Sequence, residues 1–293
     1  MIYKHMYDSP RELFQLAKSL AMTGQSSHNG DADFTGTESF EEAVALTDNG
    51  WNPSELKAKA KSIGLRAEKQ RMSTKKDNRG STLLIDRYTE GSPDCFRRKY
   101  REPKEDKHIP LIFEVNEPAS VSKNQMFLKA SVITQVVENL RKQGISTSIY
   151  AYFAVHGYEL EIIEAIPVKK RSERLQIHKL GAMMHPSSFR RIYFGRLENG
   201  SKGRKSENNV LKDWQKMPFG SGYGRPTKEL STNAVQFIKD SLKIDRAIII
   251  SSIYESSISL RNEDDAAKWV NKIVDDCNAM FKWRIAMYPH YLF

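Results

Sequence analysis

Two cysteines, Cys95 and Cys277, are all that the 293 residues contain, and they lie far apart in the chain. Neither has partners at metal-ligand spacing, which excludes a disulfide framework and a zinc knuckle and leaves two free buried thiols as the expectation. No apolar run approaches the roughly 18 residues that a membrane span needs. Met1 to Arg11 is polar and charged where a signal peptide would carry its apolar stretch, so the chain is expected to remain in the cytoplasm where it is made. No internal repeat is visible. An apolar content of 39% over this length excludes a disordered tail and a mini-protein, and at roughly 100 to 200 residues per domain it fits one large domain or two small ones.

Local signatures of catalysis are also missing. Phe219-Gly220-Ser221-Gly222-Tyr223-Gly224 resembles a nucleophile elbow only in its spacing, because no apolar strand precedes it and an elbow needs that strand to expose its serine. The same glycines lack the Lys-Ser/Thr of a Walker loop and the preceding strand of a dinucleotide loop, so they read as a hinge ending in Arg225-Pro226. His156, His178, His185 and His290 are scattered, and the spacing of His178 and His185 fits no common zinc motif. Asn262 to Asp265 clusters acids at a helix start, where the macrodipole stabilises them without an active site. The expectation is a protein with no catalytic residue, no bound metal and no cofactor.

The pattern of elements is that of an α/β protein. Ser9-Pro10-Arg11-Glu12 opens a helix with an N-cap and a proline at its first position. Ser39 to Leu46 is a second capped helix, Ser54 to Leu65 a third, residues 23 to 33 read as a mobile loop, and residues 69 to 80 are polar and expected to be exposed. Ser81 to Asp86 has strand composition, and Ser92 to Arg98 should start a further helix. After the charged stretch Arg101 to His108 the texture changes. Leu111 to Val115 is a short strand of the buried type, followed by a helix over 122–142 with Phe127, Val132, Val136, Val137 and Leu140 on one stripe and Gly144 at its end. Strands over 146–155 and 159–168 form a tight antiparallel pair. Helices follow over 173–184 and 186–197, then a long basic loop over 198–227, a helix over 228–242, a strand over 247–253 and a helix over 263–281. This predicts a mostly helical N-terminal region, 1–108, and an α/β domain, 109–293, whose mixed sheet is flanked by helices. The helix over 122–142 should cross one face right-handedly, burying Val136, and Ile249 should be buried in the last strand.

Two resemblances bear on that outline. The order of elements from residue 109 onward resembles the von Willebrand factor A core, a Rossmann-like sheet whose first loop carries Asp-x-Ser-x-Ser and holds a divalent cation. In this sequence Ser120 and Ser122 keep the spacing, while Pro118 stands where the aspartate belongs, so the site is degenerate and Ser122 reads as a helix N-cap. The second resemblance rests on Phe34-Thr35-Gly36-Thr37-Glu38-Ser39-Phe40-Glu41-Glu42-Ala43 with Gly50-Trp51, on Gly91-Ser92-Pro93-Asp94-Cys95-Phe96, and on His185-Pro186-Ser187-Ser188-Phe189-Arg190-Arg191. These are similar to the landmarks of a family of tailed-phage proteins known as a domain of unknown function. That resemblance implies a phage origin and the host cytoplasm as the place of action, and it carries no catalytic residues.

Charge is unevenly spread. Asp31 to Glu55 holds seven acids and no base, and Lys57 to Arg79 holds nine bases against two acids. Residues 167 to 228 hold fifteen bases against four acids, an excess of 11 beside a net charge of +10 for the whole chain. Lys169, Lys170 and Arg171 end the second strand of the antiparallel pair. Arg190, Arg191 and Arg196 are interleaved with Phe189, Tyr193 and Phe194, and Lys202, Arg204, Lys205 and Arg225 fall in the long loop with Trp214. Cations interleaved with aromatic faces are what single-stranded nucleic acid requires, because phosphates are neutralised while bases stack. The expected function is that of a non-enzymatic phage accessory protein that binds single-stranded DNA or RNA in support of transcription or replication. The alternative is a protein-interaction adaptor of the von Willebrand factor A type, serving another phage or host protein.

Overall fold

The computed structural model describes residues 2–21, 32–49, 73–77, 82–100, 107–156, 161–173, 175–199, 227–253 and 260–287. In chain order these form β1 (Ile2–Met6), α1 (Pro10–Ala21), α2 (Ala32–Thr35), α3 (Phe40–Asn49), β2 (Ser73–Asp77), β3 (Thr82–Leu83), α4 (Ile85–Thr89), β4 (Phe96–Tyr100), β5 (His108–Glu114), α5 (Lys123–Lys142), β6 (Ser146–His156) and β7 (Glu161–Lys169). They continue with α6 (Ile177–Met184), a π-helical turn (Ser188–Tyr193), α7 (Phe194–Asn199), α8 (Lys228–Leu242), β8 (Ile248–Ile250) and α9 (Glu263–Met287).

Five strands build the main sheet in the order β1-β7-β6-β5-β8. Neighbours are parallel except β6 and β7, which run antiparallel, so the expected mixed sheet flanked by helices is what forms. From Ile109 on, β5 is buried along its whole length, since a strand covered on both faces has no solvent side and reads as a continuous apolar run. On one face Leu111, Phe113, Ile149, Phe153 and Ile162 pack with α1, α3, α5, α6, the π turn and α9. On the other, Ile112, Tyr152, Ala154 and Ile163 pack under Leu230, Ala234 and Ile238 of α8.

Helix α5 starts and stops where its sequence directs. Ser122 accepts from the Gln125 amide while the Gln125 side chain accepts from the Ser122 amide, a reciprocal capping box that satisfies two otherwise orphaned donors. Gly144 takes φ +75° just beyond the helix, a left-handed conformation that costs a glycine little. Val136 is fully buried as expected, and both cysteines are buried and free. Burial pushes the Cys277 thiol up to about 12, with the nearby Asp276 carboxylate adding to the shift.

Several expectations are corrected. Ile249 is 46% exposed. Its register partner Ile112 is covered by α8, but β8 is the edge strand, and α8 lies against β6 and β7. Residues 92–98 do not begin a helix, because β4 pairs with both β2 and β3 in a small antiparallel sheet. The strand expected over 81–86 shrinks to β3 and gives way to α4. The polar stretch 69–80 contributes β2, and the helix expected from 173 begins at Ile177.

Across the expected division at residue 108, described residues within 2–49 pack with the main sheet and its helices. The unanticipated β1 joins the main sheet beside β7, and Tyr7, Leu13, Phe14, Phe40 and Ala43 belong to the same core as α5 and β5. The helix expected over 54–65 and nearly all of the long loop over 198–227 lie outside the described residues. Among those described, no helix is long and apolar enough to cross a membrane.

Candidate functional site

The carboxyl end of β5 lies between β6 and β8, and the loops that leave these strands meet there. This is where α/β sheets place ligand sites. Asn116 prolongs the sheet through its side chain, donating Nδ2–H to the Ala154 carbonyl and accepting the Ala154 amide at Oδ1, both at 2.9 Å. That fixes the loop so that Glu114 and Glu117 are held in the interior. Glu114 accepts from Tyr152 Oη, from Ser231 Oγ on α8 and from the Ser252 amide, the last two at 3.2 Å. Glu117 accepts from Ser252 Oγ at 2.8 Å and from the Ile253 amide at 2.9 Å. The Lys129 ammonium, rising from the second turn of α5, donates to Glu117 Oε1 at 2.5 Å and to the Glu114 carbonyl at 2.8 Å. Lys129 and Glu117 are wholly shielded from solvent.

A second polar joint lies next to it. Arg190, from the π turn, donates to the carbonyls of Phe34, Pro118 and Val121 and lies over the Phe34 ring at 4.2 Å. Arg191 donates to Thr37 Oγ1 at 2.9 Å and to the Thr37 carbonyl at 2.8 Å. Burial lowers the pKa of Arg190 to about 10, opposed by the attraction of Glu117; Arg191 is lowered in the same way, opposed by Glu42, Glu38 and Glu41. Between these anchor points Gly36 takes φ +84° against His185. Two of the three sequence landmarks, Phe34 to Ala43 and His185 to Arg191, therefore dock on each other.

This geometry corrects the expected use of several cations. Arg190 and Arg191 are 2% and 1% exposed and are engaged with backbone oxygens, so in this arrangement neither reaches a phosphate. Lys169 is also buried. A β-bulge near Pro167, which has no N–H for the ladder, precedes it, and its ammonium donates to the Thr147 carbonyl. Desolvation lowers its pKa, partly offset by Glu173. Phe189 and Tyr193 are buried and stack with Phe153, and Phe194 is partly buried against Phe189; these rings belong to the core. Lys170 and Arg171 are exposed. Arg196 lies on α7. Lys202, Arg204, Lys205, Trp214 and Arg225 lie outside the described residues.

Among the described residues no group of three or more His, Cys, Asp or Glu side chains could hold a metal ion. Ser120 is exposed and Ser122 caps α5. What sequence reasoning missed is the buried pair. The signal was a lysine at position 129 between Leu128 and Ala130, inside a helix with buried positions on every side. A lysine in such a place is held there by a carboxylate, because an unpaired buried ammonium is too costly to keep.

No curated protein and no solved structure is similar to this chain at a level that indicates kinship. A family profile matches residues 1–281. The chain therefore belongs to the family described as "Domain of unknown function (DUF7192)".

Proposed function

We propose that this protein is a non-enzymatic accessory protein of a tailed phage that binds single-stranded DNA or RNA in the host cytoplasm, in support of phage transcription or replication. The observation that carries the reading is charge. Without the buried Lys169, Arg190 and Arg191, residues 167–228 still hold twelve bases against four acids. Lys170, Arg171, Lys179 and Lys228 are exposed among them. The contact set is accordingly Lys170, Arg171 and Arg196 with Lys202, Arg204, Lys205, Trp214 and Arg225. The carboxylates at the end of β5 are saturated by internal donors, which favours binding over catalysis.

The test is binding of single-stranded DNA and RNA by the full chain across salt concentrations. With about five phosphates neutralised, the log-log slope is expected near −3 to −4, at roughly −0.7 per contact. No salt-sensitive binding to either polymer at low ionic strength would overturn the proposal.

A second reading is favoured by the strand order. The run β7-β6-β5-β8 with antiparallel β7 is the arrangement expected of a von Willebrand factor A-like core. In an adaptor of that type, a lysine in place of an exchangeable metal would make partner binding independent of divalent cations. Capture of one discrete phage or host protein from infected cells, unaffected by chelator, would support it over the first reading.

A further inference from the structure

A cleft of about 340 Å³ opens between the start of α1, the end of α3 and α6, away from the polar joint at β5. Its lining includes Arg11, His178 and Lys179, with Ser9, Gln15, Thr47 and Asp48 as further polar positions and Pro10, Phe14 and Ala182 as the less polar ones. The side chains of Arg11, His178 and Lys179 make no hydrogen bond or ion pair among the described residues, in contrast to Arg190, Arg191 and Lys169, all of which have internal acceptors. Arg11 and Lys179 against the single Asp48 carboxylate leave the cleft with an excess of positive charge and with free donors. The amide of Glu12 is already taken by Ser9 Oγ, so the case rests on these side chains and the cavity they surround, and not on the start of α1.

We propose that this cleft binds a phosphate ester of mononucleotide size. The guanidinium of Arg11 offers paired donors that match two phosphate oxygens, and the Lys179 ammonium adds a compact charge. Phe14 and Ala182 supply an apolar wall for a flat ring. Size decides between candidates. Small-ligand sites run from roughly 300 to 1,000 Å³, so this volume suits one nucleotide and is too small for a dinucleotide cofactor. The proposal does not depend on strand binding, since a free nucleotide and the phosphorylated end of a strand present the same chemistry.

The experiment is calorimetric titration of the full chain with adenosine 5′-monophosphate, adenosine and inorganic phosphate. The nucleotide should bind saturably with Kd below about 1 mM and about tenfold more tightly than adenosine. The double variant Arg11→Gln/Lys179→Gln, and each single variant beside it, should weaken the nucleotide by about tenfold or more in the double, with an unchanged melting temperature because both side chains are exposed. Lys268→Gln, at an exposed position of α9 outside the cleft lining, should bind as the wild type does. Competition by a 5′-phosphorylated oligonucleotide but not by its 5′-hydroxyl counterpart assigns the site to strand ends, and competition by neither assigns it to the free nucleotide. Failure to saturate, or equal binding by the double variant, overturns the proposal. Salt-dependent strand binding that survives in the double variant would leave the proposed function standing without this site.

Discussion

Lys129 and Glu117 face each other across 2.5 Å with both side chains completely buried, and their partners tie the loop after β5 to the loop after β8. A buried pair of this kind gains much of its strength from what would be left if half of it were removed. Desolvating two charges offsets most of their attraction, so the pair adds little net stability compared with apolar residues of the same shape.

Glu117→Gln should therefore destabilise the fold by about 3 to 5 kcal/mol, because it leaves a buried ammonium without a counter-charge. Lys129→Met/Glu117→Gln should recover much of that loss, because the ammonium is removed while the glutamine side-chain oxygen at position 117 still accepts from the Ser252 hydroxyl or the Ile253 amide. Urea unfolding followed by circular dichroism measures both, and a double variant less stable than Glu117→Gln would contradict this account of the pair.

Gly36→Ala tests the joint between the two landmark segments. A methyl group at this position would approach His185 Cε1 to 2.8 Å and Pro186 Cβ to 3.2 Å, at a backbone φ of +84°. Crowding and backbone conformation act in the same direction, and a loss of about 1 to 3 kcal/mol is expected. A melting temperature equal to that of the wild type would show that the joint is slack.

His185 confers an acid sensitivity of known sign. Its Nδ1 accepts the Ser187 amide, its ring packs beside Phe127, and burial, reinforced by the Lys123 charge, lowers its pKa from 6.5 to about 4. Between these values the unfolded chain takes up a proton that the folded chain refuses. Stability from this group is thus complete above about 6.5 and is lost as the pH falls toward 4, by about 3 kcal/mol in all at 1.36 kcal/mol per unit. Unfolding free energies measured from pH 7 to pH 4 should fall less steeply for His185→Gln than for the wild type.

What could be read from the sequence followed the locality of its physical cause. β5 and α5 are specified by an unbroken apolar run, a capping box and a terminal glycine, all of which act within a few residues. Ser92-Pro93-Asp94 carries an equally local helix-start signal, but pairing of β4 with β2 and β3 overrides it. β1 escaped notice because its reason to be a strand is β7, which begins at Glu161. Ile249 has the composition of a buried strand, and only its place at the sheet's edge exposes it. The two arginines of the π turn were misjudged for a related reason. Whether a guanidinium faces solvent or interior depends on carbonyls supplied by Phe34, Pro118, Val121 and Thr37, which are remote in the chain.

That difference separates the cations into two sets that mutation should distinguish. Arg191→Ala removes donors from Thr37 Oγ1 and the Thr37 carbonyl in a site closed to water, and a buried acceptor left without its donor costs about 1 to 3 kcal/mol. Its effect should appear in unfolding, with the salt slope of nucleic-acid binding unchanged in the fraction that folds. The proposed function assigns Lys202, Arg204 and Lys205 to contact with the nucleic-acid strand. Replacing all three with alanine should flatten the slope by roughly two units, since each lost phosphate contact removes about 0.7, and should leave stability nearly constant. Trp214→Ala completes the set. If the indole stacks on a base, its loss weakens binding by about 1 to 3 kcal/mol without lowering the melting temperature; if it lies in the core, its loss lowers the melting temperature by the cost of the cavity left behind. If the triple variant keeps the full slope while Arg191→Ala loses it, the cations have been sorted the wrong way round, and strand binding would have to open the buried joint.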